Sequence, residues 1–504
     1  MSVFSHLPLG QRIPSSPHAV SCSLPRMRDV RGYEEKTPET MRQLTSGYPR
    51  FVVHPFARQL ATHLVATTPM LAGHTVWLTT TGRMASALAA FLGGAAAGAS
   101  AFEDKGVHGL SHPASIELYA RAKTYLQNIG GFLSSREAED QLWRRGLMAV
   151  PALERAFAGD ASREVRRVVR QALPGTTDAD LLFAPSGMNA IFAAFSASAE
   201  IQAARGRTVW LQLGWLYLDT IAILKKFTAA PADYVYVRDP LDLEGIARIF
   251  QKHGDRIAGV FAEVPTNPLI QTPDIAALSA LCRKHGAHLL IDPSVVSIFD
   301  VNVLPAADAV VSSLTKYTAS EGDLTAGLIA INPAGRDAAE LRRRVAESAE
   351  PIYSRDLGRL AAQIGESETV LAQIRANAAK VVSFLETHPK IRDVYWPLQP
   401  TSRTNYLQIA RTPNAIGGMI SFTLRGAMEP FYDALRLPKG PSFGMKTTLI
   451  CPFMYLAHYD LVSTPAGIAE LAASKLDPDL LRLCCGTEPA DEIIGAIAEA
   501  LEHA

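Results

Sequence analysis

The sequence predicts an α/β fold in which a mostly parallel sheet carries helices on both faces and is followed by a smaller C-terminal domain. Short apolar runs, which are typical of buried strands, alternate with helical patterns such as the one from Asp274 to His285. The 504 residues, 48% of them hydrophobic, are enough for two or more domains with a large core. Seven apolar runs are interpreted as strands, beginning at Leu181, Thr208, Tyr234, Ile257, His288, Ala309 and Leu328.

Composition and charge argue against several classes of function. Lysine plus arginine balances aspartate plus glutamate at 49 each, which leaves no surplus positive charge for a nucleic acid to bind. The five cysteines are dispersed and lack the spacing of a zinc site, so we expect reduced thiols and no metal. Because the N-terminus has neither a basic region nor an apolar core, a cytoplasmic location is predicted.

One segment approaches the length of a membrane span. Residues Met84 to Phe102 are nearly free of charge, but glycines interrupt the segment and it lacks the leucine and isoleucine density that drives insertion. We therefore predict a buried helix and a loop here, and no contact with a membrane.

The first 55 residues, called the arm below, are rich in proline, serine and arginine and show no sustained hydrophobic period. This predicts an extended segment that packs on something else, which suggests a neighbouring subunit. Near the end of the arm, Tyr48 and Arg50 offer a hydroxyl and a guanidinium group that can bind a phosphate. A surface salt bridge is the alternative for Arg50.

Residues from about 67 to 168, called the insertion below, have a role that the sequence leaves open. Gly73–Leu78 is interpreted as a strand and Ser115–Gln127 as a helix. A further helix is predicted after Phe132, with a serine as its N-cap. The insertion is therefore expected to be folded and not to be a linker.

A phosphate site is predicted where the strand at Leu181 ends. Ser186, Gly187 and Met188 follow it and lead into a helix of small residues. Backbone amides at a helix N-terminus point toward an anion, and glycine permits its close approach. An ordinary helix cap is the alternative.

A lysine follows the strand that begins at Ala309. Lys316 lies beside two hydroxyl donors, Ser313 and Thr315, which can bind an anion. A desolvated lysine at the end of a strand loses its proton near neutral pH, and its amine can then form a Schiff base with an aldehyde. The alternative is a strand that ends in a solvated lysine.

A carboxylate ends another of these strands. Asp292 lies at the C-terminal end of the run from His288, where open α/β sheets bind ligands. There it can pair with a ring cation. Pyridoxal phosphate requires an amine, an acid and a phosphate cradle, and the sequence offers all three.

Several motifs resemble one known family. Glu263–Leu269, Leu290–Asp292 and Ser313–Tyr317 resemble the signature of the pyridoxal-phosphate enzymes of cysteine and methionine metabolism, the cystathionine γ-synthase/lyase group. The resemblance runs in order from about Ser15 to the C-terminus. It implies a fold-type-I, aspartate-aminotransferase-like enzyme with a seven-stranded sheet.

The resemblance assigns a role to each candidate residue. Lys316 would bind the cofactor aldehyde and move the substrate's α-proton, Asp292 would keep the ring nitrogen protonated, and Tyr217 would stack on the ring. Trp215 is an alternative stacking residue. The other assignments are Asn267 at the ring oxygen; Ser186, Gly187, Met188, Ser313 and Thr315 at the phosphate; Arg482 at the substrate carboxylate; and Ser442 beside the substrate.

The resemblance also implies an assembly. In this family, the segment that matches Tyr48 and Arg50 reaches the cofactor phosphate of a neighbouring subunit, so a homodimer or homotetramer with shared sites is expected. The domains would be residues 1–55 as the arm, 56–350 as the cofactor-binding domain with the insertion, and 351–504 as the C-terminal domain. The alternative for Arg482 is a salt bridge with Glu488 at the edge of a strand.

A narrower resemblance is to the fungal-type cystathionine γ-synthases, carried by Ser15–Pro25, Gly32–Glu35 and Tyr217–Thr220. The chain departs from the family's common pattern at His54, at Asn189 and in the middle of Tyr217–Thr220, and has Thr447 where a glutamate often stands.

The predicted reaction is γ-replacement on an O-acylhomoserine by cysteine, which gives cystathionine. O-acylhomoserine sulfhydrylase and cystathionine or methionine γ-lyase are the alternatives, since they share every cofactor residue. A pyridoxal-phosphate-binding protein without turnover is the remote alternative.

Overall fold

The computed structural model describes residues 4–504, so Met1–Val3 of the predicted arm lie outside the described residues. The arm is not simply extended. It forms a short hairpin and two helices, and its apolar side chains Val20, Leu24, Met27 and Val30 are fully buried. It has no separate core, as predicted, because these side chains pack into the cores of the rest of the chain. The elements are β1 (Arg12–Ile13), β2 (Ser21–Cys22), α1 (Met27–Glu34) and α2 (Pro38–Met41).

The insertion is folded, as predicted, around a three-stranded antiparallel sheet in the order β3-β5-β4. Ser115 and Ser134 accept hydrogen bonds from the first-turn amides of α5 and α6, which explains where these helices begin. The elements from the end of the arm onward are α3 (Pro55–Thr67), β3 (His74–Thr79), α4 (Gly82–Leu92), β4 (Ser100–Asp104), β5 (Val107–Pro113), α5 (Ile116–Ile129), α6 (Ser135–Arg144) and α7 (Ala161–Ala172).

The segment from Met84 to Phe102 forms most of α4, a single 3-10 turn and the first residues of β4. The predicted helix is therefore correct, but the predicted loop ends in an edge strand. Among residues 4–504, no helix is both long enough and apolar enough to cross a bilayer.

A seven-stranded sheet forms the centre of the large domain, and all seven predicted strands belong to it. The strand order is β6-β12-β11-β10-β9-β7-β8, and only β12 runs antiparallel to its neighbours. The elements are β6 (Leu181–Ala184), α8 (Gly187–Ala203), β7 (Val209–Leu213), α9 (Leu218–Phe227), β8 (Tyr234–Val237), α10 (Leu243–His253), β9 (Ile257–Glu263), α11 (Ile275–His285), β10 (His288–Asp292), β11 (Ala309–Ser313), β12 (Gly327–Ile331) and α12 (Ala338–Ser348).

Helices cover both faces of this sheet, which is why β9 and β10 are apolar along almost their whole length. Helices α8 and α12 lie on one face, and α10 and α11 lie on the other. The carboxyl ends of the parallel strands therefore meet at one edge of the sheet, where the site residues are expected.

The C-terminal part contains two long helices and a four-stranded antiparallel sheet in the order β13-β14-β16-β15. Its elements are α13 (Ser354–Ile364), α14 (Ser367–Thr387), β13 (Ile391–Tyr395), α15 (Arg403–Ile409), β14 (Met419–Leu424), α16 (Met428–Ala434), β15 (Leu449–Pro452), α17 (Phe453–Ala457), α18 (Tyr459–Val462), α19 (Pro465–Ala473), β16 (Leu481–Cys484) and α20 (Ala490–Leu501). Six short 3-10 helices complete the secondary structure: Pro69–Leu71, Gly94–Ala97, Asp178–Asp180, Pro231–Asp233, Gly254–Arg256 and Leu304–Ala306.

Candidate active site

A buried cavity lies at the carboxyl ends of β9, β10 and β11, between the central sheet, the C-terminal part and the arm. All the predicted site residues except Ser186 and Thr315 line it. They are Tyr48, Arg50, Gly187, Met188, Tyr217, Asn267, Asp292, Ser313, Lys316, Ser442 and Arg482.

The amine of Lys316 lies inside this cavity. Its Nζ donates a hydrogen bond of 2.6 Å to Oγ of Ser442 and lies 4.6 Å and 4.9 Å from the ring centroids of Tyr48 and Phe443. Burial lowers the pKa of the Lys316 amine, and the nearby Arg482 cation lowers it further, although Tyr48 acts in the opposite direction. The amine of Lys316 is therefore buried, and its protonated form is less favoured than that of a lysine in water.

The turn after β11 holds Lys316 against the segment around Ser442. Tyr317 has a left-handed backbone (φ 58°), and its amide donates to the carbonyl of Gly444 at 2.7 Å. A Cβ at Gly444, whose φ is +71°, would lie only 2.8 Å from that amide nitrogen. Glycine is thus required for this close approach, which brings Ser442 to the amine.

Asp292 ends β10 and is buried. Its Oδ1 accepts hydrogen bonds from the amide and the hydroxyl of Ser294, at 2.9 Å and 2.5 Å. Burial raises the pKa of the Asp292 carboxyl to about 6, although the bonds from Ser294 lower it. Within residues 4–504 no cation forms an ion pair with Asp292, so its charge is available to a cationic ligand.

A second carboxyl group, Glu263, lies beside Asp292 and lines the same cavity. The two residues are register partners on the adjacent parallel strands β9 and β10. Oε1 of Glu263 accepts from the amide of Tyr217 at 2.5 Å. Burial, together with the charge of Asp292, raises the pKa of Glu263 well above its usual range, which favours the neutral acid at this position.

Tyr217 faces the cavity and Trp215 does not, which is the arrangement that the sequence favours. The hydroxyl of Tyr217 accepts a hydrogen bond of 2.6 Å from Nη2 of Arg50. Trp215 instead donates to Nε2 of His458 at 3.0 Å and packs in a separate apolar cluster with Phe453.

The arm places Tyr48 and Arg50 in the cavity of their own chain. Nη1 of Arg50 donates to Asp219 at 2.5 Å, and its guanidinium lies 5.3 Å from the ring centroid of Tyr48. Burial raises the pKa of the Tyr48 hydroxyl, but the cations of Lys316 and Arg50 outweigh burial and hold it below its usual value. Within this chain the arm contacts Asp219 and Tyr217, and the donation of Tyr48 and Arg50 to a neighbouring subunit stays a prediction.

The N-terminus of α8 lies close to the end of β11, at the position of the predicted phosphate site. A Cβ on Gly187 would lie 2.8 Å from Cβ of Ser313, so only glycine lets the helix start this close to the end of β11. Oγ of Ser313 is buried and has no hydrogen-bond partner among the described residues, as expected of a donor that awaits an anion.

The two remaining predicted phosphate residues accept hydrogen bonds within the fold. Oγ of Ser186 caps α8 by accepting from the amide of Asn189 at 3.2 Å. Oγ1 of Thr315 accepts from the amide of Ala326 at 3.1 Å. These bonds hold in place the two turns that carry Gly187 and Lys316, and phosphate binding by the two hydroxyls stays a prediction.

Arg482 lies on β16, and no carboxylate among residues 4–504 forms an ion pair with it. Its Nη1 donates to Oδ1 of Asn267 at 3.3 Å, and its guanidinium lies 4.7 Å from the ring centroid of Phe453. The alternative pair with Glu488 does not form, because Glu488 accepts from the amide and hydroxyl of Thr448 instead. The guanidinium is therefore free to bind a carboxylate from a ligand.

Sequence reasoning missed some residues that shape the site. Ser294 follows Asp292 by two residues. This spacing is typical of an Asx turn, in which the residue two positions on donates a hydrogen bond to the carboxylate. Phe443, Phe453 and Cys451, which also line the cavity, carried no such signal, because they come from a distant part of the chain.

Comparison with known proteins identifies the family. The model of the Cys/Met metabolism PLP-dependent enzymes matches residues 168–502. The chain belongs to this family. The family's cofactor is pyridoxal phosphate, and the cavity fits it, since an amine, an unpaired buried carboxylate and an unsatisfied hydroxyl beside a helix N-terminus converge there.

Members of the family from a bacterium and a fungus match almost the whole chain. An L-2-amino-4-chloropent-4-enoate dechlorinase/desaturase of Streptantibioticus cattleyicolor is 36% identical over 492 residues, which are 98% of each chain. A cystathionine γ-synthase of Neurospora crassa is 27% identical over an alignment of 616 positions, again covering 98% of each chain. Both matches therefore include the arm and the insertion, which the family model does not cover.

Solved structures of the family share the fold. A cystathionine γ-synthase from Xanthomonas oryzae matches with a TM-score of 0.58 and 21% identity, over 68% of this chain and 86% of that one. A cystathionine γ-lyase from Lactobacillus plantarum matches with a TM-score of 0.57 and 19% identity, over 69% and 87%. The predicted fold-type-I architecture is thus confirmed.

Asp292 gives the cofactor-free enzyme a pH-dependent stability. The pKa of its carboxyl is 3.8 when unfolded and about 6 when folded, so the folded state binds the extra proton and stability is lost as the pH rises from about 4 through 6. Two pKa units correspond to roughly 3 kcal/mol. Asp292→Asn should stabilise the cofactor-free protein by up to about that amount at pH 8 and by much less at pH 4.5.

Urea denaturation at the two pH values measures this difference. Asp180→Asn is the matched control, because the Asp180 carboxyl is also buried but is paired with Arg342, and although burial raises the pKa of this carboxyl, the hydrogen bonds from Thr177 and Arg342 outweigh burial and lower it. Its substitution should destabilise the protein. An Asp292→Asn variant whose stability relative to wild type is the same at both pH values would contradict the prediction.

Proposed function

We propose that this enzyme uses pyridoxal phosphate to expel a leaving group from the γ-carbon of an α-amino acid. The observation that carries the proposal is that Lys316, Asp292 and Arg482 are buried around one cavity. These groups offer a base, a partner for a cationic cofactor ring and a site for the substrate carboxylate. The relatives named as cystathionine γ-synthases and as a dechlorinase/desaturase support chemistry on small amino acids.

Each residue has a definite task in this reaction. Pyridoxal phosphate, when bound, supplies an aldehyde for Lys316 and an electron-withdrawing ring that accepts the electron pair left when Cα loses its proton. Lys316, whose amine has a lowered pKa, would take that proton, and Oγ of Ser442 orients the amine. Asp292 would hold its negative charge against the ring nitrogen.

Arg482 holds the substrate in the orientation that the proton transfer requires. Asn267 orients the guanidinium through Nη1, and the rings of Phe443 and Phe453 lie 5.2 Å and 4.7 Å from it. These rings keep water from the guanidinium, which strengthens its attraction to a carboxylate.

The residues of the cavity favour elimination of the leaving group without a second amino acid as the incoming nucleophile. The cationic residues that line it are Arg50, Lys316 and Arg482. Arg50 is paired with Asp219 and Lys316 serves as the amine, so Arg482 alone remains for a substrate carboxylate. A second amino acid such as cysteine would have no free cation for its own carboxylate. The 36% identical relative, named as a dechlorinase/desaturase, supports the same fate.

γ-Replacement on an O-acylhomoserine by cysteine, the reaction predicted from the sequence, is the second candidate. The fungal relatives named as cystathionine γ-synthases support it. Thr447, at the position where a glutamate often stands, is not among the residues that line the cavity. The sulfhydrylase and γ-lyase alternatives use the same cofactor residues.

A product assay separates these candidates. Purified holoenzyme is given L-2-amino-4-chloropent-4-enoate alone, and O-acetyl- or O-succinylhomoserine with no thiol, with cysteine or with sulfide; products are identified by NMR and mass spectrometry. We expect the leaving group to be released without a thiol and at a rate that cysteine does not raise.

Each other product assigns another reaction. Dominant cystathionine would assign the synthase reaction and dominant homocysteine the sulfhydrylase reaction. 2-Oxobutyrate from an O-acylhomoserine, even with cysteine present, is the product of γ-elimination, so it would assign a γ-lyase reaction and would support the release without a thiol that we expect. Failure to release a leaving group from any of these amino acids would refute the proposed chemistry at the γ-carbon.

Arg482→Lys tests the carboxylate site. Lysine keeps the charge but loses the bidentate geometry, so we expect KM to rise roughly tenfold to a hundredfold, while the absorbance of the bound cofactor is unchanged. Arg392→Lys, at a half-exposed arginine paired with Asp477, is the control and should leave KM unaltered. An unchanged KM in the Arg482 variant would remove Arg482 from the substrate site.

A further inference from the structure

Arg136, at the start of α6 in the insertion, is a fully buried cation. Its Nη1 donates to the carbonyl of Asp323 at 2.9 Å and to Oδ1 of Asp356 at 3.1 Å. Its Nη2 donates to Oδ2 of Asp323 at 3.3 Å and to Oε2 of Glu154 at 2.7 Å, and its Nε donates to the same Oε2 at 2.9 Å. Every N–H group of the guanidinium is thereby used. Its direction is fixed, because rotation would leave buried carboxylates unpaired.

Asp323 belongs to the loop that carries Lys316. This loop, called the lysine loop below, comprises residues 314–326 and joins β11 to β12 without a helix or strand of its own. The carboxylate of Asp323 is buried, and it also accepts from Nε of Arg359 and from Nε2 of Gln363, each at 2.9 Å. Both of these donors lie on α13. The far end of the lysine loop is thus held between the insertion and the C-terminal part.

The lysine loop bonds the two turns that form the proposed cofactor site. The amide of Ala326 donates to Oγ1 of Thr315, at 3.1 Å, in the turn of the catalytic amine. Oγ1 of Thr325 donates to the carbonyl of Pro185, at 2.8 Å, in the turn that leads into α8. Asp323 lies two residues before Thr325, so a displacement of Asp323 would reach both turns.

Arg136 can influence the site only through this loop. Neither Arg136 nor Asp323 is among the residues that line the cavity, and none of residues 67–168 lines it. Without the guanidinium of Arg136, the buried carboxylate of Asp323 would keep a single ion-pair partner, Arg359. The lysine loop would then gain free energy by opening to water, because a buried carboxylate with too few partners is strongly disfavoured.

We propose that Arg136 is a positioning residue for the proposed cofactor lysine: by holding Asp323 it fixes the lysine loop, and with it the amine of Lys316 and the turn before α8. The insertion thereby sets the geometry of the site from outside the cavity. The inference rests on the proposed function of Lys316. It depends neither on the identity of the substrate nor on how the subunits assemble.

Hydrogen exchange of the cofactor-free protein, read by mass spectrometry, measures the hold on the loop without cofactor or substrate. Arg136→Lys keeps the charge, but an ammonium group has fewer donors and no fixed plane, so it cannot bridge Asp323 and Glu154 as the guanidinium does. We expect the amides of residues 319–326 to exchange at least about tenfold faster in the variant. The amides of β7 should exchange as in the wild type.

Arg145→Lys is the matched control. Arg145 is also a buried arginine of the insertion, directly after α6, but it pairs with Asp104 of the insertion itself. Its substitution should leave exchange in the lysine loop unchanged.

The holoenzyme supplies a second readout. In Arg136→Lys the affinity of the cofactor-free protein for pyridoxal phosphate, followed by absorbance, should fall roughly tenfold, and kcat should fall roughly tenfold to a hundredfold, since misplacing a reacting group by about 1 Å costs that much. KM should stay within about threefold, because Arg482 lies on β16 and not on the loop. The substrate is the amino acid that the wild-type enzyme converts in the product assay above. Arg145→Lys should alter none of these values.

A purely structural role for Arg136 predicts a different result. A variant that is less stable to urea, but whose lysine loop exchanges and binds pyridoxal phosphate as the wild type does, would overturn the inference. Faster exchange in β7 as well as in the loop would also overturn it, because the effect would then be on the whole fold.

Asp323→Asn is the second variant, and it replaces Arg136→Lys if that protein fails to fold. It removes the charge that Arg136 holds, so it should speed exchange in the loop and weaken cofactor binding in the same way. In the double variant little further loss is expected, and a second full loss would refute the link between the two residues. A wild-type enzyme that borohydride does not label at Lys316 would instead refute the proposed function, and with it the connection from the loop to the cofactor.

Discussion

Replacing Lys316 by alanine is expected to abolish turnover, with a loss of at least about 10⁴-fold, while the protein still folds. The amine is both the nucleophile for the cofactor aldehyde and the base for the α-proton, and no other lysine lines the cavity among the described residues. Because the amine of Lys316 bonds only the side chains of Ser442 and Tyr48 among the described residues, and carries no backbone contact of the fold, its removal should cost the fold little. Steady-state assays and the unfolding temperature measure the two effects.

Chemical labelling gives an independent test of Lys316. Borohydride reduction of the holoenzyme followed by peptide mapping should place the pyridoxyl group on Lys316. Lys439 is a sharp internal control, because burial lowers the pKa of its amine to about 7, yet its Nζ is held by the carbonyls of Pro25 and Tyr432 outside the cavity. A label on Lys439 would contradict the assignment.

Asp292→Asn is expected to lower turnover by on the order of 10²- to 10³-fold. Asparagine keeps the hydrogen bonds from Ser294 but cannot oppose the positive charge of a ring nitrogen, so the electron pair at Cα is less well accommodated. The same variant is predicted to stabilise the cofactor-free protein at pH 8. A substitution that lowers turnover and raises stability is what we expect when a buried charge is retained for function.

Glu263→Gln is the matched control for Asp292→Asn. Glu263 lies opposite Asp292 on the neighbouring strand, and its raised pKa keeps it neutral. Glutamine is also neutral and can accept from the amide of Tyr217, so turnover should remain within about threefold of wild type. A loss in this variant equal to that of Asp292→Asn would mean that the two carboxyls act as a pair and would refute a separate role for Asp292.

Three departures from the family's common motifs have one explanation in the structure. Asn189 bonds the carbonyl of Ile129 at the end of α5 and the amide of Glu350. His54 bonds and stacks within the arm beside α6. Asp219, in the altered segment Tyr217–Thr220, receives Arg50 and the end of α5. Each departure is thus a contact with the arm or the insertion, which are the parts that lie outside the family model.

Much of the site could be predicted because its residues lie at strand ends. Asp292, Ser313 and Lys316 follow buried runs, and the carboxyl ends of parallel strands meet at one edge of a sheet. Gly187 was identifiable for the same reason, as the start of the helix after β6. Ser186 and Thr315 were correctly placed near the site, but which atom each hydroxyl bonds depends on turn geometry that the sequence does not show.

The sequence by itself determined the seven strands, the position of the candidate lysine in the chain and the family, because apolar periodicity and motif spacing are local properties of the chain. Only the tertiary structure decided that Arg50 pairs with Asp219, that Arg482 is free of Glu488, and that the insertion bonds Asp219. These contacts join residues more than 80 positions apart, and burial decides which partners meet. No local pattern encodes that choice, because the free energy of a buried ion pair depends on the low-dielectric surroundings that the whole fold creates.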